Sequence, residues 1–137
     1  MPFVLDSSVA LAWVLPAETN PTLDQLCERL IVDIALVPSV WPLEIGNVLL
    51  VAVKRGRLTT KDVRHLITGL RALPLEIDAA STERALEETL ALAKKYDLTT
   101  YDASYLELAQ RRDMPLATLD TKLRKACLSA KIMLLPP

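Results

Sequence analysis

Four of the 17 acidic residues stand where a carboxylate is out of place. Asp6 directly follows the apolar run FVL at 3–5, and Asp120 directly follows PLATL at 115–119. Glu44 and Asn47 are the only strongly polar side chains of an apolar stretch between Val40 and Val53, three residues apart and so on one helical face. A helix apolar all round is a buried helix, and an ionised carboxylate inside it is costly unless paired or bound to a metal. Asp102 opens YDASYLELAQRR. Its own face holds Tyr105, Leu106 and Ala109, whereas Glu107, Gln110 and Arg111 take the water side, so Asp102 is expected to point inward. Together the four acids form a converging set of hard oxygen donors, the ligands that Mg²⁺ or Mn²⁺ takes along with water and substrate phosphate. Each also has a simpler reading. Asp6 and Asp120 suit helix N-caps, Glu44 an arginine ion pair, and Asp102 the positive end of a helix dipole.

Rival chemistries lack their residues. His65 is the single histidine, which leaves no Ser-His-Asp or Cys-His arrangement. The three glycines, Gly46, Gly56 and Gly69, cannot be arranged into a phosphate-binding glycine loop. Cys27 and Cys127 are too far apart for a CxxC motif and read as two buried thiols in a reducing compartment. An aspartyl phosphotransferase of the haloacid-dehalogenase type wants a second Asp two residues after the first, where Ser8 stands. A receiver-type domain wants a paired acid ahead of its strand-end aspartate and a late strand-end Lys, and neither is present.

The elements that must position these acids alternate between strand and helix. Short apolar runs at 3–5, 34–37, 73–77, 115–119 and 132–135 read as strands, with Pro74 and Glu76 marking 73–77 as an edge. Helices are expected from Ser7 or Ser8 to Pro16 and over about 19–32, with Leu23, Leu26, Cys27, Leu30 and Ile31 as its stripe. Ser39 is expected to cap a helix to Arg55, stopped by Gly56, and Thr59 with Asp62 to open another to Ala72 in capping-box fashion. Further helices are expected over 78–95, 100–112 and 121–130. Glu83, Glu87 and Glu88 fall on a solvated face, and Glu18, Asp24, Glu28 and Asp33 on polar surface. The alternation implies an α/β fold, a parallel sheet with helices on both faces, and strand C-termini gathered at one edge, where such folds bind ligands. At 137 residues the chain fits one domain.

Hydrophobic residues make up 51% and charged residues 24%, which excludes a disordered chain. With a net charge of −1 the protein does not coat nucleic acid by bulk charge. A local basic patch exists: Lys54, Arg55, Arg57, Lys61, Arg64 and Arg71 are offset in their span only by Asp62. It reads either as an RNA-gripping surface or as a solvated pair of helix ends. Trp13 and Trp41 read as core packing. The mean hydropathy of +0.26 is somewhat high for a small monomer and suits covered dimer or partner surfaces. No apolar run reaches the length of a membrane helix and no basic leader precedes the first strand, so a cytoplasmic protein is expected.

VLDSSVALAW at the start, SVWPLEIGNVL at 39–49, LTTYDASYLELA at 98–109 and PLATLDTKL at 115–123 resemble the four signature blocks of PIN-domain ribonucleases, in order and across the whole chain, 1–137. The nearest resemblance is to the VapC toxins of prokaryotic toxin–antitoxin pairs. The resemblance implies a three-layer α/β/α sandwich and a site built from Asp6, Glu44, Asp102 and Asp120 holding one or two Mg²⁺ or Mn²⁺ ions. It also places Ser7, Asn47 and Thr118 in support of these acids. It further implies a homodimeric endoribonuclease toxin silenced by a VapB-type antitoxin. From the local basic charge, Lys54, Arg55, Arg57, Lys61 and Arg64 are the residues expected to meet RNA. Two other readings remain: a non-catalytic α/β interaction module, and another metal-dependent nuclease or phosphatase.

Overall fold

The computed structural model describes residues 1–15 and 20–137. Pro16, expected to close the first helix, and Glu18, expected on polar surface, lie outside the described residues.

Among the described residues, five short strands form one sheet: β1 (Phe3–Leu5), β2 (Ala35–Pro38), β3 (Leu75–Asp78), β4 (Leu116–Ala117) and β5 (Leu134–Leu135). All pairings are parallel and the order is β3-β2-β1-β4-β5. Phe3, Val4 and Leu5 are fully buried, as a central parallel strand covered on both faces requires. The edge position of β3 matches Pro74 just before it and its exposed Glu76 and Ile77.

Eight α-helices are present among the described residues. On one side α1 (Ser7–Val14) packs against α2 (Pro21–Glu28), α3 (Trp41–Lys54) and α4 (Thr60–Arg71). On the other, α7 (Thr100–Arg112) packs against α5 (Ala80–Arg84), α6 (Glu88–Tyr96) and α8 (Thr121–Ser129), and lies along β1, β2 and β4. The result is the expected α/β/α sandwich. Both chain reversals leaving β1 and β4 emerge at the same edge, where the strand order changes direction.

Several boundaries follow local chemistry. Thr59 and Asp62 form the reciprocal capping box that opens α4, and Gly56, at φ +71°, follows the end of α3 in the left-handed region. Other expectations are corrected. Asn20 caps α2, its side chain accepting from the Thr22 and Leu23 amides, and residue 19 of the expected helix lies outside the described residues. That helix tightens into a 3₁₀ turn at Arg29–Ile31, which turns Ile31 out to solvent. Ser39 does not cap α3. Its amide donates to Ser81 Oγ and its hydroxyl meets those of Ser81 and Thr82, which ties the end of β2 to α5. The single helix expected over 78–95 is two helices, broken at Glu87, whose φ of −123° and ψ of −94° are not helical.

α3 is the largest departure. Only Trp41, Ile45 and Leu49 are buried; Leu43, Val48 and Leu50 are exposed. It is therefore an amphipathic packing geometry written in apolar residues, and Glu44 is half-buried rather than sealed in the core. Trp41 lies in the core and Trp13 packs on its margin, donating Nε1–H to the Leu23 carbonyl at 2.9 Å. Cys127 is buried and its thiol is pushed up to about 12, chiefly by burial, whereas Cys27 is only half-buried.

Candidate active site

The C-terminal ends of the central strands present the acids. Asp6 occupies the N-cap position of α1, yet its side chain makes no capping bond. Its Oδ2 instead accepts from Ser8 Oγ and from Thr118 Oγ1, each at 2.7 Å, and Oδ1 receives a longer bond from Ser7 Oγ at 3.4 Å. Thr118 lies just past β4 and accepts from the Asp120 amide at 3.0 Å, while Ser8 accepts from the Leu119 amide at 3.0 Å. Two hydroxyls thus pass the position of the 118–120 segment directly to one carboxylate oxygen. Asp120, by contrast, does cap: its Oδ1 accepts from the Leu123 amide at 2.8 Å and opens α8.

Glu44 comes from the first turn of α3 and Asp102 from the first turn of α7. Tyr105, one turn beyond Asp102 and fully buried, donates its hydroxyl to Glu44 Oε1 across the 61 residues that separate them. Burial, then the charges of Asp6 and Glu44, push the Tyr105 phenol far above its ordinary range, so it is a fixed donor. Thr99 caps α7, accepting from the Asp102 amide. Tyr105, Ser8 and Thr99 were not distinguishable as site residues in the sequence. Tyr105 reads there as part of the core stripe, and only the folded chain, which brings its hydroxyl to Glu44, reveals its partner.

The electrostatics join all four acids. Burial is the largest cause raising the pKa of Asp6, Glu44 and Asp102. Asp120 raises Asp6, Asp6 and Asp102 raise Glu44, and Asp120 and Asp6 raise Asp102. The basic residue whose charge reaches Asp102 is Lys122, which the sequence did not single out.

None of the four carboxylates is ion-paired among the described residues, and residues 16–19 contain no basic side chain. The contrast with the other buried acids is sharp. Asp78 and Glu107 both pair with Arg111, whose own pKa these bonds raise. Glu107, expected on the water side of α7, is 3% exposed, and this pairing is what permits its burial.

The donor set fits a hard divalent cation: all-oxygen, unpaired with any base, with Glu44 Oε2 and Asp120 Oδ2 accepting no hydrogen bond among the described residues. Among the described residues, no three or more His, Cys, Asp or Glu side chains are gathered closely enough to hold a metal ion as they stand. Of the supporting residues, Ser7 and Thr118 lie on Asp6. Asn47 does not join them; it is exposed and, with Arg55 and Arg57, lines a hollow of about 510 Å³. Lys54, Arg55, Arg57, Lys61 and Arg64 are all exposed around the α3–α4 corner, Lys54 lying about 15 Å along the helix axis from Glu44.

The model of the PIN domain family matches residues 3–128. The chain belongs to the PIN-domain family. This PIN domain is 28% identical over 127 residues to Ribonuclease VapC3 of Pyrobaculum aerophilum, spanning 90% of this chain and 92% of that protein. Among solved structures, PAE2754 from Pyrobaculum aerophilum is similar with a TM-score of 0.68 at 24% identity, covering 92% of this chain and 87% of that one. FitAcB from Neisseria gonorrhoeae follows at 0.64 and 17% identity, covering 100% and 98%. A toxin–antitoxin complex from Klebsiella pneumoniae is similar at 0.56 and 19% identity, covering 88% of each chain. These three structural likenesses are likenesses of fold.

Proposed function

We propose that this PIN-domain protein is a divalent-metal-dependent endoribonuclease, hydrolysing RNA phosphodiester bonds as the toxin of a VapBC-type pair. The observation that carries the reading is the set of four acids without a base among them, at the switch point of a parallel sheet, in a protein that pairs its other buried acids. The similarity to Ribonuclease VapC3 supports the substrate, and the fold shared with the Klebsiella complex supports an antitoxin partner.

Asp6, Glu44, Asp102 and Asp120 would hold Mg²⁺ or Mn²⁺. Bound there, the cation supplies a lowered water pKa and charge stabilisation on the phosphodiester. The protein's own contribution is to fix the donors. Ser8 and Thr118 hold Asp6 in one orientation while leaving its charge only partly offset, and Tyr105 holds Glu44 from a neighbouring helix. Supporting bonds of this kind keep a carboxylate aimed. The cations of the α3–α4 corner attract the RNA backbone, and Lys122 adds charge next to Asp102. The exposed apolar side of α3, with Leu43 and Leu50, suits a second copy or the antitoxin in the proposed homodimeric complex.

Single-stranded RNA incubated with the purified protein tests the reading. Cleavage that requires Mg²⁺ or Mn²⁺, stops with chelator and disappears in Asp6→Asn with an unchanged circular dichroism spectrum is the expected outcome. Full activity of Asp6→Asn would overturn it.

A further inference from the structure

The hollow of about 510 Å³ that Asn47 shares with Arg55 and Arg57 is also lined by Leu15, Val48 and Val51. It lies on the Glu44 face of α3: Asn47 and Val48 are three and four residues beyond Glu44, and Val51 seven. Leu15 closes α1, the helix that Asp6 opens, and Arg55 closes α3. Two helices that start at the acids therefore both end at this hollow.

Two arginines meet here because α3 stops. Side chains two residues apart on a helix do not face one another. At Gly56, φ +71°, the chain turns back; the Gly56 amide donates to the Val53 carbonyl and the Arg57 amide to the Ala52 carbonyl at 2.9 Å. That turn brings Arg55 and Arg57 to one hollow. Neither is ion-paired among the described residues. Arg29, Arg111 and Arg124, by contrast, spend their guanidinium donors on carbonyls or carboxylates of the fold. Asn47 is exposed, and its amide offers both donors and an acceptor to whatever enters.

Such a lining calls for an occupant with an anionic end, an apolar body and a polar edge. A nucleotide has all three: phosphate oxygens for guanidinium pairs, a base for the apolar wall, and a hydrogen-bonding edge for an amide. The size agrees, since sites for small organic groups run from about 300 to about 1,000 Å³. So does the position. Arg55 lies about 16 Å along the α3 axis from Glu44, a span of about five nucleotides at the 3.4 Å rise of a stacked strand.

We propose that this hollow is a nucleotide subsite of the ribonuclease, a few nucleotides from the bond that is cleaved. Arg55 and Arg57 clamp one RNA phosphate, the attached base lies against Leu15, Val48 and Val51, and Asn47 reads its edge. The proposal rests on the ribonuclease reading and deepens it, because it places base preference on α3, away from the acids.

Two measurements test it. In chelator, each of the four ribonucleoside 5′-monophosphates, and inorganic phosphate, is titrated into the protein while the Asn47 side-chain amide is followed by NMR. Saturable shifts with at least one nucleotide, absent with phosphate alone, are expected. No shift with any nucleotide, or the same shift with phosphate, overturns the subsite. In cleavage, wild type is compared with Asn47→Ala, with Arg55→Gln plus Arg57→Gln, and with Lys61→Gln plus Arg64→Gln. The substrates are an oligoribonucleotide and versions with one abasic nucleotide stepped outward from the mapped cleavage position. All the replaced side chains are exposed, so the variants are expected to fold. One abasic position within about five nucleotides of the cleaved bond is expected to lower wild-type kcat/KM about tenfold. Asn47→Ala is expected to lose about fivefold on intact RNA and nothing further on that abasic strand. The Arg55 and Arg57 replacements are expected to shrink the abasic effect, whereas those at Lys61 and Arg64, outside the hollow, leave it at about tenfold. An Asn47→Ala loss that is equal on every strand, or two double variants that behave alike, overturns the subsite and leaves the ribonuclease reading standing. Should wild type cleave no RNA with Mg²⁺ or Mn²⁺, that reading fails, and the nucleotide titration decides the hollow alone. A dimer that Val51→Glu turns into a monomer in sedimentation assigns the hollow to a second copy and also overturns the proposal.

Discussion

Asp6 stands in a place that resists an anion. Burial raises its pKa most; hydrogen bonds from Ser8, Thr118 and Ser7 lower it, and the charge of Asp120 raises it again. Its folded value lies above the ordinary 3.8, so the folded protein takes up protons relative to the unfolded chain as pH falls. The stabilisation from the protonated form is complete below about pH 3.8 and is lost as pH rises through the folded value. At neutral pH the metal-free protein therefore carries an electrostatic penalty. Replacing the charge by an isosteric amide should relieve it: in chelator, Asp6→Asn should raise Tm at pH 7 and leave it unchanged at pH 3, as thermal melts would show. Equal melting at both values would contradict the electrostatics described for Asp6. The same residue shows where the sequence is ambiguous. An aspartate at a strand end and helix start reads as a cap whether or not it caps, and here Asp120 caps while Asp6 does not. Chain order cannot separate the two, because the difference is made by Thr118, which is 112 residues from Asp6.

At the scale of elements, α7 does two tasks with its two ends. Its first turn brings Asp102 and Tyr105 to the site, and its last turn brings Arg111 to Asp78 and Glu107. Arg111→Met would leave two buried carboxylates without a cation and should cost about 3–5 kcal/mol in urea denaturation. Adding Asp78→Asn and Glu107→Gln to the same chain should restore much of that loss; no recovery would contradict the pairing as its cause. The α3–α4 corner makes a separate prediction. If it grips RNA, Lys61→Ala with Arg64→Ala should reduce the slope of log K against log salt by about 1.4, measured by titration of single-stranded RNA. An unchanged slope would leave those residues as solvated helix ends. Strand–helix alternation, the capping box at Thr59 and the stop at Gly56 were legible because each rests on neighbours in the chain. The break at Glu87, the tie from Ser39 to Ser81 and the burial of Glu107 were not, because each is decided by a partner on another element. α3 misled for a related reason: an apolar sequence specifies no outward face, and so the half-burial of Glu44 depends on which side the sheet covers.

For the molecule as a whole, the strand order does what no single motif can. With β1 at the centre and β4 beside it, the acids following both strands leave at the same edge, and the helices entering from α3 and α7 bring the other two. Four acids spread from residue 6 to residue 120 thereby come within range of one another's charge. That convergence was legible as a consequence of a parallel sheet; the hydroxyls and the phenol that aim the carboxylates were not. A net charge of −1 leaves RNA attraction to local surfaces, so the central claim turns on what the acids hold. Calorimetric titration of Mn²⁺ into the metal-free protein tests it most directly. Saturable uptake of one or two ions per chain, lost in Asp6→Asn and in Asp102→Asn, is the predicted result; no saturable heat, or uptake that both variants retain in full, would contradict the account.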